Sequence, residues 1–115
     1  MRVAMPTWEG RISPVFDVAH ELLVVEIGCG AELSRHRVML TEGLASTRAA
    51  RVAELGIGLL ICSGVSRPLA DAMRARGITV LSQRAGLVDQ VVGILLRGGV
   101  PSPSALLRPE RQSPA

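Results

Sequence analysis

Apolar and polar positions change rhythm along this chain, and the changes mark its elements. Arg2-Val3-Ala4-Met5 is a short apolar run that reads as a strand, with Pro6, which has no N–H for a ladder, as its stop. Residues 7–18 are polar and punctuated by Gly10 and Pro14, and read as a loop. Both aromatic residues of the chain, Trp8 and Phe16, fall in it, so the expectation is an ordered loop with both rings packed. In detail, Phe16 anchors it, Ser13 and Asp17 cap its backbone, and Arg11 is left facing the sheet edge at the carboxyl ends of the parallel strands. Residues 22–27 form an apolar strand, Gly28-Cys29-Gly30-Ala31 a hairpin turn, and residues 33–40 the returning strand. Arg35, His36 and Arg37 on the returning strand suit an edge protected against mispairing.

From Leu44 the period becomes helical: Ala45, Ala49, Val52 and Ala53 share a face, and Gly56 stops the run. The stretch Ile57-Gly58-Leu59-Leu60-Ile61-Cys62-Ser63-Gly64-Val65-Ser66 then switches from an apolar strand to a small, polar turn. Ser66 stands at a helix N-cap, with Pro68 in the first turn, Leu69 and Met73 on one face, and Gly77 as the stop. Residues 78–81 are the last strand. A final helix over 87–97 aligns Val88, Val91, Val92 and Leu95 before Gly98-Gly99. From Pro101 the chain is rich in Pro, Ser and Arg without a period, which predicts a folded domain over 1–99 and a disordered tail over 100–115.

The element order β-β-β-α-β-α-β-α predicts an α/β fold: a mixed five-stranded sheet with one antiparallel strand and helices on both faces. The first strand should be central, the hairpin on one side and the later strands on the other. Ligands of such sheets sit at the carboxyl ends of the parallel strands. That edge gathers the 7–18 loop, His20, Thr41, the turn from Cys62 to Ser66, and Ser82-Gln83-Arg84. Cys29, in the hairpin turn, should lie at the opposite end, about 17–20 Å away.

Composition narrows the chemistry. The 115 residues contain no lysine, and the formal net charge of +3 is carried by arginine alone, which modestly favours anionic partners. The arginines are scattered rather than interleaved with aromatics, so a nucleic-acid partner is not expected. No apolar stretch approaches the ~20 residues of a membrane span, and the amino terminus lacks a signal-peptide core, so the expected setting is the cytoplasm, as a monomer or weak homo-oligomer. The two cysteines have no zinc-type spacing to His20 or His36. Dinucleotide and phosphate-loop glycine patterns are absent, and the strands carry no carboxylate set for two divalent ions.

At the candidate edge, Cys62 is either a soft metal ligand or a small buried hydrophobe. His20 is either a second ligand or an exposed residue at a strand start. Arg11, Ser13, Ser63, Gly64, Ser66 and Arg84 are candidates for holding an anionic ligand, because arginines and free amides at a helix N-terminus favour negative charge.

Three segments carry a resemblance: Arg2-Val3-Ala4-Met5-Pro6, Gly10-Arg11-Ile12-Ser13-Pro14-Val15-Phe16-Asp17-Val18-Ala19, and Leu60-Ile61-Cys62-Ser63-Gly64-Val65-Ser66. Together they resemble the dinitrogenase iron–molybdenum cofactor biosynthesis family, the small domain shared by nitrogenase accessory proteins such as NifX and by the C-terminal part of NifB. The resemblance implies a ribonuclease H-like scaffold without enzymatic activity. It also implies binding of an iron–molybdenum or iron–sulfur cluster, or a precursor, and partners among metallocofactor assembly proteins or apo-nitrogenase. A metal-free small-anion-binding or protein-interaction module on the same edge is the alternative.

Overall fold

β1 (Arg2–Trp8) runs up the middle of the sheet, buried at every position but its two ends. That explains why its sequence is apolar without alternation: a central strand is covered on both faces. The computed structural model describes residues 1–99, so the tail expected from residue 100 lies outside the described residues. A two-residue strand β2 (Arg11–Ile12) folds back on the end of β1. β3 (Glu21–Gly28) and β4 (Ala31–Met39) form the hairpin on one side of β1, and β5 (Leu59–Ile61) and β6 (Thr79–Leu81) lie parallel to it on the other. The order is β4-β3-β1-β5-β6, with β2 attached to β1.

Three helices cover this sheet: α1 (Ala45–Glu54), α2 (Arg67–Ala75) and α3 (Val88–Leu96). Alternate residues of each strand enter different clusters, as the two-residue period requires. Ala4, Leu22, Val24, Leu60 and Cys62 meet Ala49 and Val52 of α1 and Leu69 and Met73 of α2. Val3, Met5, Leu23, Val25 and Ile61 meet Val88, Val91 and Val92 of α3. β4 is the exposed edge, its arginines outside the core.

The mixed sheet, its central first strand and its two covered faces agree with the sequence. The strand count does not: the sheet has six strands rather than five. Pro6 does not end β1. It pairs with Leu22, and its carbonyl accepts from the Ser13 N–H at 2.8 Å, on the side of β1 facing away from β3. The missing N–H points the same way, where the ladder to β5 has already ended at Ala4, so the ring breaks no bond. Beyond Pro6 the strand makes a tight hairpin in which Glu9 and Gly10 both take positive φ, 53° and 78°.

The two aromatics of this segment part company. Phe16 is fully buried, in a 3-10 turn (Phe16–Val18), but Trp8 is 63% exposed rather than packed. Trp8 lies past the last β1–β3 pair and is matched only by Arg11 across the small hairpin, so no helix or strand covers it. The β3–β4 turn falls where expected, over Cys29 and Gly30 between the ends of the two strands, and Cys29 takes positive φ as well as Gly30.

Candidate functional site

The turn at the carboxyl end of β5 is stitched to two other segments by main-chain bonds. The Gly64 N–H donates to the Pro14 carbonyl and the Phe16 N–H donates to the Gly64 carbonyl, both at 2.8 Å. On the other side, the Gln83 and Arg84 N–H groups donate to the carbonyls of Ser63 and Cys62 at 2.9 Å. The small hairpin joins in through Ile12, which donates to Gly86, and Gly10, which accepts from Val88 at the start of α3. Gly64 has a steric reason to be glycine: a Cβ there would stand 2.8 Å from the Pro14 carbonyl oxygen.

Ser66 caps α2 as its position implies, its Oγ accepting from the Leu69 N–H at 3.3 Å. The anion at this helix start is the protein's own. Asp17 accepts from the Ser66 N–H at 2.7 Å and from the Ser66 hydroxyl. Asp17 therefore does not cap its own loop. It bolts the 3-10 turn to a helix 49 residues later, using the N-terminal amides that would otherwise favour a bound anion. Replacing Asp17 with alanine is expected to lower stability by about 1.5–3 kcal/mol, as loss of hydrogen bonds to a charged group does. The same change should speed labelling of the Cys62 thiol by an aromatic disulfide reagent. A labelling rate equal to wild type would show that this contact does not gate the edge.

Cys62 sits directly beneath these contacts and has no exposed surface. Burial pushes its thiol from the ordinary 9.0 up to about 11, and Asp17 adds to the rise while Arg74 and Arg84 oppose it. The folded state therefore keeps a proton that the unfolded chain gives up. The contribution is present below pH 9 and is lost as pH rises through about 11. Over this window wild-type stability should fall by of the order of 2–3 kcal/mol relative to Cys62→Ala. Denaturant melts of both proteins at pH 8 and pH 11 measure the difference.

His20 is exposed and lies elsewhere. It lines a cleft of about 280 Å³ with Thr7, Trp8, Ser13, Val18, Glu21 and Met39. Cys62 does not line that cleft, so the two candidate metal ligands are not brought into one cavity. Ser13 is buried, its N–H donating to the Pro6 carbonyl, and Arg11 is exposed on β2. Arg84 turns back through its guanidinium onto the Ser82 carbonyl at 2.6 Å. Among the described residues no three His, Cys, Asp or Glu side chains gather as a metal site.

The group that organises this end was missed in the sequence. Arg48, on α1, is 5% exposed, and its guanidinium donates to the carbonyls of Glu42, Phe16 and Ala19 at 2.9, 3.1 and 2.7 Å. It also lies 5.7 Å from the centre of the Phe16 ring. Burial lowers its pKa from the ordinary guanidinium value, against the opposing pull of Glu42 and Asp17. Arg48 thus clamps the segment that carries both Asp17 and His20.

These features define a small mixed α/β domain with a closed strand-end turn and an open cleft beside it, both organised by the segment after β2. The chain belongs to the family described as dinitrogenase iron–molybdenum cofactor, whose model matches residues 1–98. A curated relative, an uncharacterised protein of Methanocaldococcus jannaschii, is 23% identical over 103 residues, covering 85% of this chain and 87% of the relative. The fold is similar to the crystal structure of PH0822, with a TM-score of 0.79 and 20% identity over 86% of this chain and 93% of that one. It is also similar to the apo form of the orange protein from Desulfovibrio gigas, with a TM-score of 0.70 and 29% identity over 87% and 90% of the two chains. No helix among the described residues is long and apolar enough to cross a membrane.

Proposed function

We propose that this protein is a non-catalytic carrier that holds an iron–molybdenum or iron–sulfur cluster, or a precursor, as cargo and passes it to an assembly protein or apo-nitrogenase in the cytoplasm. One observation carries the reading: the family match spans the whole described domain rather than a single motif. On this reading the sheet is a ribonuclease H-like scaffold used for binding alone. His20 is the accessible ligand, and its cleft, flanked by Trp8 and Met39, receives the cargo. Cys62 joins only when the Asp17–Ser66 contact opens. Opening also frees the amides of Gly64 and Ser66, which with Arg11, Ser13, Ser63 and Arg84 then face the negative charge of the cluster.

Anaerobic incubation with isolated cofactor, followed by gel filtration, absorption and paramagnetic resonance, tests this. Cofactor should co-elute with wild type and be lost from His20→Ala. Absence of transfer to wild type would sink the carrier reading, and undiminished transfer to Cys62→Ala would remove the cysteine from the ligand set.

A second reading is favoured by the complete burial of Cys62 and by the exposed Trp8, Val18, Met39 and Leu44: a metal-free small-anion or protein-interaction module. It predicts a colourless protein whose melting temperature responds to phosphate or a protein partner but not to cofactor under reducing conditions.

A further inference from the structure

A second cleft, about 520 Å³, opens on the α3 face of the sheet, between the first turn of α3 and the β3–β4 hairpin. Its volume falls within the range of small-molecule sites. Glu21, Leu23, Arg35, Arg37, Val88 and Asp89 line it, and it shares only Thr7 and Glu21 with the cleft beside His20. The register explains the arrangement. Leu23 pairs with Arg37 and Val25 with Arg35, so both arginines project from β4 onto the face that α3 covers only in part.

Two arginines and two carboxylates line this cleft, so it offers no net charge to a simple anion. The two charge pairs differ in kind. Arg35 is closed: it donates to both oxygens of Glu32 at 2.7 and 2.9 Å and to Asp89 at 2.9 Å. Arg37 and Glu21 are open, 3.8 Å apart at Nε and Oε2, with the Arg37 side chain 74% exposed. The Thr7 hydroxyl donates to Glu21 at 2.6 Å and holds that carboxylate in place, with lone pairs to spare. An unclosed pair of opposite charges at the wall of a neutral cleft is complementary to a molecule that carries both charges itself. Leu23 and Val88 supply an apolar floor beside them.

We infer that this cleft binds a free α-amino acid with an aliphatic side chain. The carboxylate lies on Arg37, the ammonium on Glu21, and the side chain over Leu23 and Val88. Each end of the zwitterion replaces half of a loose ion pair with a charge-assisted hydrogen bond, which is where the affinity and the selectivity arise. The inference does not rest on the carrier reading, because it uses neither Cys62 nor His20, although the two clefts meet at Thr7 and Glu21.

Amide chemical-shift titration of the whole chain with L-leucine, N-acetyl-L-leucine, L-leucinamide and inorganic phosphate tests it. Leucine should shift the amides of Thr7, Leu23, Arg37 and Val88 and saturate in the millimolar range or below. N-acetyl-leucine, which lacks the ammonium, and leucinamide, which lacks the carboxylate, should each bind at least tenfold more weakly. R37Q should weaken leucine at least tenfold while leaving the residual affinity for leucinamide unchanged. The inference is overturned if leucine moves none of these amides at about 50 mM, where a site with a Kd near 1 mM is about 98% occupied. It is equally overturned if N-acetyl-leucine or leucinamide binds as tightly as leucine, if phosphate alone shifts the site, or if R37Q binds leucine like wild type.

Discussion

Phe16→Ala is expected to unfold this protein about 3–5 kcal/mol more easily than wild type, the cost of emptying a fully packed ring site. The ring sits in the cluster that α1 and α2 share, beside Leu69, Met73 and Cys62 in a core with no other aromatic. No neighbour of similar size is available to collapse into the space. The two bonds to the Phe16 main chain, its N–H to the Gly64 carbonyl and the Arg48 guanidinium to its carbonyl, lose their anchor at the same time. Urea melts at neutral pH read the effect directly. A midpoint and slope matching wild type would mean that the segment after β2 is held without its ring, and the account of the strand-end turn given above would fail with it.

The second large effect belongs to Arg48. Arg48→Met keeps most of the apolar stem but withdraws the donors from three carbonyls at a buried site. Left unsatisfied, such groups cost about 1–3 kcal/mol each, and partial access of water leaves an expected total of about 2–5 kcal/mol. Arg48→Lys should recover only part of the loss, because one ammonium cannot span the Glu42 carbonyl on one side and those of Phe16 and Ala19 on the other. If the methionine variant is as stable as wild type, the clamp is not structural. A double-mutant cycle with Phe16→Leu should show coupling beyond additivity, since the two side chains are in contact.

The sheet was legible where a single rule governs a stretch. The continuous apolar run of β3, the charged β4 and the three amphipathic helices each follow from burial on two faces, one face or none. Ser66 was legible as an N-cap because Pro68 and the Leu69–Met73 spacing agree with it. What escaped was local chemistry that runs against its usual meaning. Pro6 sits in a strand because its absent N–H faces a gap, which only the register reveals. Glu9-Gly10 is not the usual asparagine–glycine turn signal, so nothing in residues 7–18 announces β2.

Nothing in composition marks Arg48 as buried, because arginine is usually at the surface. A signal was there: it lies three residues after Ala45 and four before Val52, on the apolar side of α1. An arginine on that stripe needs acceptors, and the carbonyls of a nearby 3-10 turn provide them. Of the candidate site, the sequence located the strand-end turn but not its occupancy. Nothing in the spacing of Asp17 and Ser66 announces that one side chain will take the place of a ligand at the other.

That contact has a consequence for how the protein is made. Asp17 must wait for a serine 49 residues downstream, and Val3 for Leu59, while every pairing within the β3–β4 hairpin is local. At about 5–20 residues per second, a ribosome adds this stretch in roughly 2–10 s. During that interval β1 has its hairpin neighbour on one side and only the two-residue β2 at its far end on the other. The first strand synthesised is therefore among the last to be completed, and cotranslational folding should leave Phe16 and its turn unsecured until β5 and α2 emerge. A nascent chain stalled before Ser66 should be cut by protease within residues 7–18, and one stalled far enough past α2 should be protected there.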